Sequence, residues 1–201
     1  MQSLNLIAVT ITSLIILSHC DGLITKNITN SGFQLYSTCL EILVAQVPDS
    51  LPLVNAAVLP ISISTAASAL FIDHQLPFPT LNPIPAGKTV LIWGGSSSCG
   101  SSAIQLATAA GSMVVTTASS ANFAYVKSLG AAYVFDHADP KVADKILSIL
   151  KPGDLVVDSI GSKETQTACG EILEKIGGGI LPTVRHLQIQ FPDNVKATFG
   201  M

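Results

Sequence analysis

The segment Val90-Leu91-Ile92-Trp93-Gly94-Gly95-Ser96-Ser97-Ser98-Cys99-Gly100 constrains this chain more than any other. An apolar run of strand length passes into a cluster of small residues. Ala103, Ile104, Ala107 and Ala110 then recur at helical spacing until Gly111 stops them. A strand-to-helix turn made of small residues lets the backbone approach a diphosphate, whose charge is favoured by the free amides and dipole at the helix start. Gly94 and Gly100 fill two of the places that need a glycine, Gly100 also allowing the helix to pack closely on the strand. Gly95, Ser96, Ser98 and Cys99 complete the cradle. Ser97 stands where a middle glycine is usual, and its hydroxyl either donates to a phosphate oxygen or crowds the turn.

The rest of the chain decides between this reading and an ordinary turn. From Gly87 onward, strand patterns at 89–93, 113–117, 133–135, 155–158 and 178–181 alternate with helical patterns at 101–110, 122–129, 140–150 and 165–176. That alternation is the mark of a parallel sheet with crossover helices, so the fold class is α/β: a Rossmann-type doubly wound sheet covered on both faces. Composition agrees, since 48% of the 201 residues are hydrophobic and only 11% are charged, which excludes a disordered chain. A net charge of −3 without clustered Lys or Arg excludes a nucleic-acid partner. Cys20, Cys39, Cys99 and Cys169 are scattered, with no CxxC pair; no metal site is expected, and reduced thiols in the cytoplasm are the simpler setting.

The part before the turn is less regular. Residues 4–18 form an apolar run too short for a stable membrane span but followed by Ser18-His19-Cys20, a signal-like arrangement that lacks a basic start. Cytoplasmic residence is therefore expected, with secretion the alternative, in which case Asn27-Ile28-Thr29 becomes a glycosylation sequon. Strand-like runs lie at 33–36 and 43–47, and an Ala-rich helix at 53–71 is interrupted near Pro60. Residues 74–85, with Pro77, Pro79, Pro83 and Pro85, form a loop or linker.

The kind of nucleotide follows from the second strand. In NAD-binding units an acidic residue lies ~20 residues beyond the glycine turn and accepts from the ribose 2′-hydroxyl. Here Val115-Thr116-Thr117-Ala118-Ser119-Ser120-Ala121-Asn122 contains no carboxylate. Hydroxyl and amide donors accept a 2′-phosphate that a carboxylate would repel, so NADP(H) is expected. Ser119 either contacts that phosphate or caps the next helix, and one residue can do both.

Gly32-Phe33-Gln34, Pro48-Asp49-Ser50-Leu51, Ala56-Ala57-Val58-Leu59-Pro60, Ser64-Thr65-Ala66-Ala67, the glycine turn and Lys127-Ser128-Leu129-Gly130-Ala131-Ala132 follow one another in an order and spacing that resemble medium-chain dehydrogenase/reductases. The nearest branch is the zinc-independent quinone-reductase and fungal trans-enoyl reductase group. The likeness runs over about 31–183 and implies a GroES-like catalytic domain, a Rossmann domain after it, and a nicotinamide in the cleft between. Carried over by residue, the turn from Gly94 to Gly100 holds the pyrophosphate, and Ser119 and Asn122 contact the 2′-phosphate. His137 falls where a tyrosine often touches the same phosphate, or is a solvated residue after the third strand. Thr65 matches a position beside the nicotinamide, or is a helix residue bonding to its own backbone.

The implied layout is an aberrant or signal-like segment at 1–30, a remnant of the GroES-like domain with its connecting helix at 31–85, the NADP(H)-binding domain at 86–184, and a truncated tail at 185–201 that lacks the last strand. The implied activity is hydride transfer to a small molecule with an activated C=C bond or a carbonyl, with a homodimer possible. A catalytically inactive nucleotide-binding module is the alternative. No catalytic acid is named, and the Gly-His-Glu segment of zinc-dependent relatives is absent.

Overall fold

The computed structural model describes residues 44–199 together with the strands Leu6–Val9, Leu14–Ile16 and Ser37–Leu40. The chain divides into two compact units, Met1–Ser64 and Thr65–Met201.

In the first unit, β1 (Leu6–Val9) pairs antiparallel with β3 (Ser37–Leu40), and β2 (Leu14–Ile16) pairs antiparallel with β4 (Val44–Gln46). Stretches of the apolar run at 4–18 are thus strands, and the strand expected at 33–36 lies outside the described residues. The expected break near Pro60 separates α1 (Leu53–Ala56) from α2 (Pro60–Ala67). Pro60 opens α2, where its missing amide proton costs no helical bond.

The second unit contains a sheet whose six strands are all parallel: β5 (Thr89–Trp93), β6 (Met113–Ala118), β7 (Tyr133–Asp136), β8 (Leu155–Asp158), β9 (Gly179–Thr183) and β10 (Val195–Phe199). Their spatial order is β10-β9-β8-β5-β6-β7. The order reverses between β5 and β8, so a crevice opens there at the carboxyl ends of the strands.

Alternate residues of the buried strands feed two cores. Val90, Ile92 and Val114 pack against Ala103, Ile104 and Ala107 of α3 (Ser98–Ala109) and Val126 of α4 (Phe123–Ser128). On the other face, Leu91, Val115 and Val156 meet Val142 and Ile146 of α5 (Val142–Leu147) and Ile172 and Leu173 of α6 (Lys163–Lys175). Each of the fully buried aliphatic side chains contributes roughly 1.5–3 kcal/mol.

The two compact units meet at 64/65, and Ala66, Ala69, Leu70 and Leu76, from the stretch expected to connect two domains, are buried in the first of these cores. The helical stretch Leu53–Asp73 is long and apolar enough to cross a membrane by length and composition, yet α2 passes into a wide π-type turn, Ser68–Asp73, whose Ala69 and Leu70 are core residues. The tail expected from 185 onward contains β10. It alternates buried Val195 with exposed Lys196 and joins β9 in parallel register, Val195 opposite Gly179 and Phe199 opposite Thr183. No helix precedes it, which is why the helix–strand alternation did not announce it.

Candidate functional site

The glycine turn is held from three sides. From β6, the Thr117 hydroxyl accepts from the Gly94 amide at 3.0 Å, its carbonyl accepts from the Gly95 amide at 2.9 Å, and Thr116 Oγ1 donates to the Ile92 carbonyl at 2.6 Å. From α3, the Ser101 hydroxyl donates to the Gly95 carbonyl at 3.1 Å. From β8, the Ser159 amide donates to the Trp93 carbonyl at 3.0 Å.

Its glycines are required by close approach. A β-carbon on Gly100 would lie 2.2 Å from the Gly94 carbonyl oxygen, and one on Gly95 would lie 2.2 Å from Thr116 Oγ1. Gly94 has φ +84, a left-handed backbone that glycine adopts without strain. The half-exposed Ile160 side chain lies over it, 2.5 Å from where a β-carbon would stand.

Ser97 resolves differently from either alternative. Its hydroxyl accepts from the Gly100 amide at 3.0 Å as the N-cap of α3 and donates to the Ser159 carbonyl at 3.3 Å, while its amide donates to the Gly94 carbonyl at 3.0 Å. Its hydroxyl and amide are engaged within the protein, where they shape the turn. Ser98 and Cys99 open α3 where helix amides have no preceding carbonyl to meet, and the partly buried Ser96 lies in the turn before them. Burial pushes the Cys99 thiol up to about 11, eased by the neighbouring Ser159 hydroxyl. The thiol therefore stays protonated at neutral pH.

At the end of β6, the Asn122 side-chain amide donates to the Ser119 hydroxyl at 3.1 Å, leaving the hydroxyl proton of Ser119 to donate elsewhere. Ser119 makes no side-chain cap to the 3-10 turn Ser120–Asn122 that follows it, so its capping role is not the one adopted. His137 is exposed just past β7, its amide reaching the Ala118 carbonyl at 3.4 Å, which places it beside the Ser119 strand end. Asp136 lies opposite Ala118 in the ladder, and its carboxylate accepts from the Ala138 amide at 2.9 Å. Thr65 lines a small cavity with Ala69, Cys99, Val157, Pro182, Thr183 and Val184. The sequence-derived residues thus gather along the carboxyl edge of the sheet, Thr65 meeting the last part of the turn in the cavity it shares with Cys99 on the β8–β9 side.

Asp158 was missed. This fully buried carboxylate ends β8 and accepts from the amides of Ile160 and Gly161 and the hydroxyl of Thr165, each at 3.0 Å, and from Thr183 at 3.5 Å. Burial raises its pKa, and these donors oppose the rise. It ties the loop after β8 to α6 and to the end of β9. Gln166 was missed too: buried in α6, it donates to the carbonyls of Gly161 and His186 and accepts from the Gln188 amide at 2.9 Å, fastening the loop after β9. Their distant partners, Thr183 for Asp158 and His186 and Gln188 for Gln166, lie 20 or more residues along the chain and leave no local sign beside either residue.

Among the described residues no group of three or more His, Cys, Asp and Glu could hold a metal ion. What the edge can do is hold an elongated anionic ligand: an uncharged pair of donors over β6, a glycine cradle with open amides over β5, and a largely apolar wall over β8 and β9.

Comparisons with known proteins agree with this geometry. The family model described as "Zinc-binding dehydrogenase" matches residues 99–181. The trans-enoyl reductase himH of Aspergillus japonicus is 60% identical over 184 residues, 92% of this chain and 54% of that protein. A quinone oxidoreductase from Coxiella burnetii superposes with a TM-score of 0.58 at 30% identity, over 74% of this chain and 42% of that one. A mycobacterial protein solved in complex with NADPH does so with a TM-score of 0.65 at 25% identity, over 83% and 53%. The chain spans about half the length of the curated relatives it matches. With its parallel six-stranded order, its glycine turn and these relatives, the chain belongs to the medium-chain dehydrogenase/reductase superfamily.

Proposed function

We propose that this chain binds NADP(H) and serves a reductase that saturates an activated C=C bond of an enoyl or quinone-type small molecule. The observation that carries the cofactor assignment is the end of β6, where Ser119 and Asn122 present a hydroxyl and an amide in the place where a carboxylate would select NAD(H). The himH relative, named a trans-enoyl reductase, supports the substrate class, and the NADPH complex of the mycobacterial neighbour supports the nucleotide.

The residues fit the group. Gly94, Gly95 and Gly100 keep the turn tight, since a β-carbon on them would collide with Ile160, Thr116 or the Gly94 backbone, and the amides of Ser98 and Cys99 at the start of a 12-residue helix favour a diphosphate. Ser119 and Asn122 hold the 2′-phosphate, with His137 at its border. When bound, the cofactor supplies a hydride to the electrophilic carbon of the substrate. The protein's own part is to fix position and exclude water: Thr65, Cys99 and Thr183 form a largely apolar surface past the turn, and the neutral Cys99 thiol keeps charge out of it.

Calorimetry tests the assignment. NADPH is expected to bind about tenfold more tightly than NADH, a difference of about 1.4 kcal/mol, and Ser119→Asp is expected to reverse the order. Equal affinities in the unmodified protein would refute it.

A further inference from the structure

Resting on that reading of the site, we propose that Tyr125 is a positioning residue for the cofactor's phosphates: through the Ser101 hydroxyl it sets the direction of the peptide between Gly95 and Ser96. The Tyr125 hydroxyl donates to Ser101 Oγ at 3.2 Å, and Ser101 Oγ donates to the Gly95 carbonyl at 3.1 Å. One chain of hydrogen bonds thus runs from α4, across the first turn of α3, into the glycine turn.

Burial along this chain is uneven. Tyr125 is 48% exposed, so water would satisfy its hydroxyl, yet the hydroxyl is turned onto a serine that is 8% exposed. A serine within a helix commonly bonds back to a carbonyl one turn earlier in its own helix. Ser101 instead gives its one proton to the Gly95 carbonyl, while its oxygen accepts from the tyrosine. A hydroxyl that accepts one bond while donating another donates more strongly.

The consequence falls on Ser96. In a trans peptide the N–H and the C=O point in opposite directions, and the described residues contain no cis peptide bond. With its carbonyl turned toward Ser101, the Gly95–Ser96 peptide directs its amide away from α3, and no acceptor among the described residues meets that amide. Gly95 is held on its other side as well, its own amide donating to the Thr117 carbonyl at 2.9 Å. What remains free is rotation of the Gly95–Ser96 peptide, and Tyr125 and Ser101 remove it. Tyr125 stands three residues beyond Asn122, whose side chain bonds Ser119. The helix that begins at the pair proposed for the 2′-phosphate therefore also aims an amide at the next phosphate. A second contact between the two helices, from Thr108 Oγ1 to the Gly130 carbonyl at 3.4 Å, lies at their carboxyl ends.

The experiment titrates the full chain and its Tyr125→Phe, Ser101→Ala, doubly substituted and Thr108→Val variants with 2′,5′-ADP, which carries both phosphates, and with 2′-AMP, which lacks the 5′-phosphate. Tyr125→Phe is expected to weaken 2′,5′-ADP by about 3- to 5-fold, part of the worth of one neutral hydrogen bond, and to leave 2′-AMP unchanged. The double variant should bind 2′,5′-ADP no more weakly than Ser101→Ala alone, because both substitutions break one chain, and Thr108→Val should bind both ligands normally. Tyr125→Phe keeps the ring, so the comparison of the two ligands decides the matter even where Ser101→Ala fails to fold. Unchanged affinity for 2′,5′-ADP in Tyr125→Phe, equal weakening of both ligands, additive losses in the double variant, or the same selective loss in Thr108→Val overturns the role of Tyr125 while the cofactor assignment stands. If the unmodified protein binds neither 2′,5′-ADP nor NADPH, the cofactor assignment falls and takes this one with it.

Discussion

Gly100 shows what a single residue decides here. Its missing side chain is what lets α3 descend to within van der Waals distance of Gly94, and the obstacle a β-carbon would meet is backbone, which cannot rotate away. Gly100→Ala is therefore expected to lower stability by roughly 1–3 kcal/mol and to abolish nucleotide binding, whereas Ser98→Ala, at an exposed position, should change neither measurably. Urea unfolding and an NADPH titration on both variants check this. Gly94 and Gly100 were legible in the sequence because smallness is itself the signal. The roles of Ser97 and Asp158 were not. A hydroxyl in a turn serves ligand and helix cap equally well on paper, and the choice is made by the Ser159 carbonyl, 62 residues away. Asp158 ends an apolar strand, and among its donors is Thr183, 25 residues on.

At the scale of elements, the strands β5 to β9 and the helices between them lie where periodicity placed them, with the starts of α3 and α6 set by capping. α3 begins at Ser98, three residues earlier than its apolar pattern, because Ser97 caps it; α6 begins at Lys163 because Ser162 and Thr165 form a capping box. The segment joining α2 to β5 carries a feature that periodicity does not show. His74 is partly buried, and its Nε2 lies 2.9 Å from the Val156 carbonyl of β8, so the ring is a donor there. Burial lowers its pKa, opposed by that carbonyl and by Asp73. The neutral ring is the form favoured in the folded state, while the unfolded chain takes up a proton near 6.5. Stability is accordingly complete above that pH and declines as pH falls from 6.5 toward the lower folded value. His74→Gln, which retains a donor but does not titrate, is expected to flatten that decline; unfolding midpoints measured between pH 5 and 8 would reveal it.

For the whole molecule, the α/β class was legible from the alternation of patterns, but the strand order was not. Nothing local records that β5 is flanked by β6 on one side and β8 on the other, because order is set by the handedness and length of the crossovers. β10 escaped notice for a related reason, being reached through a loop at 184–194 and not through a helix. It nevertheless finishes the sheet: Val195 is buried, Phe199 stacks on His186 at 4.4 Å, and Thr198 donates to Asp73 at 3.2 Å. Ending the chain after Gln190 is expected to cost roughly 2–4 kcal/mol in urea unfolding, while 2′,5′-ADP binding, proposed to rest on β5 and β6, is expected to stay within about threefold.

The reversal of strand order between β5 and β8 also has a meaning in time. β5 meets β6 after a connection of about one helix, Thr89 opposite Met113, but meets β8 only when the chain between Val90 and Leu155 has closed on itself. Short closures are made before long ones, since the entropy of ordering the intervening chain must be overcome first. The side of the crevice built on β5 and β6, proposed above to take the adenosine half, is thus expected to form early in refolding and the side built on β8 late, so that a chain caught between the two would offer only half of the crevice.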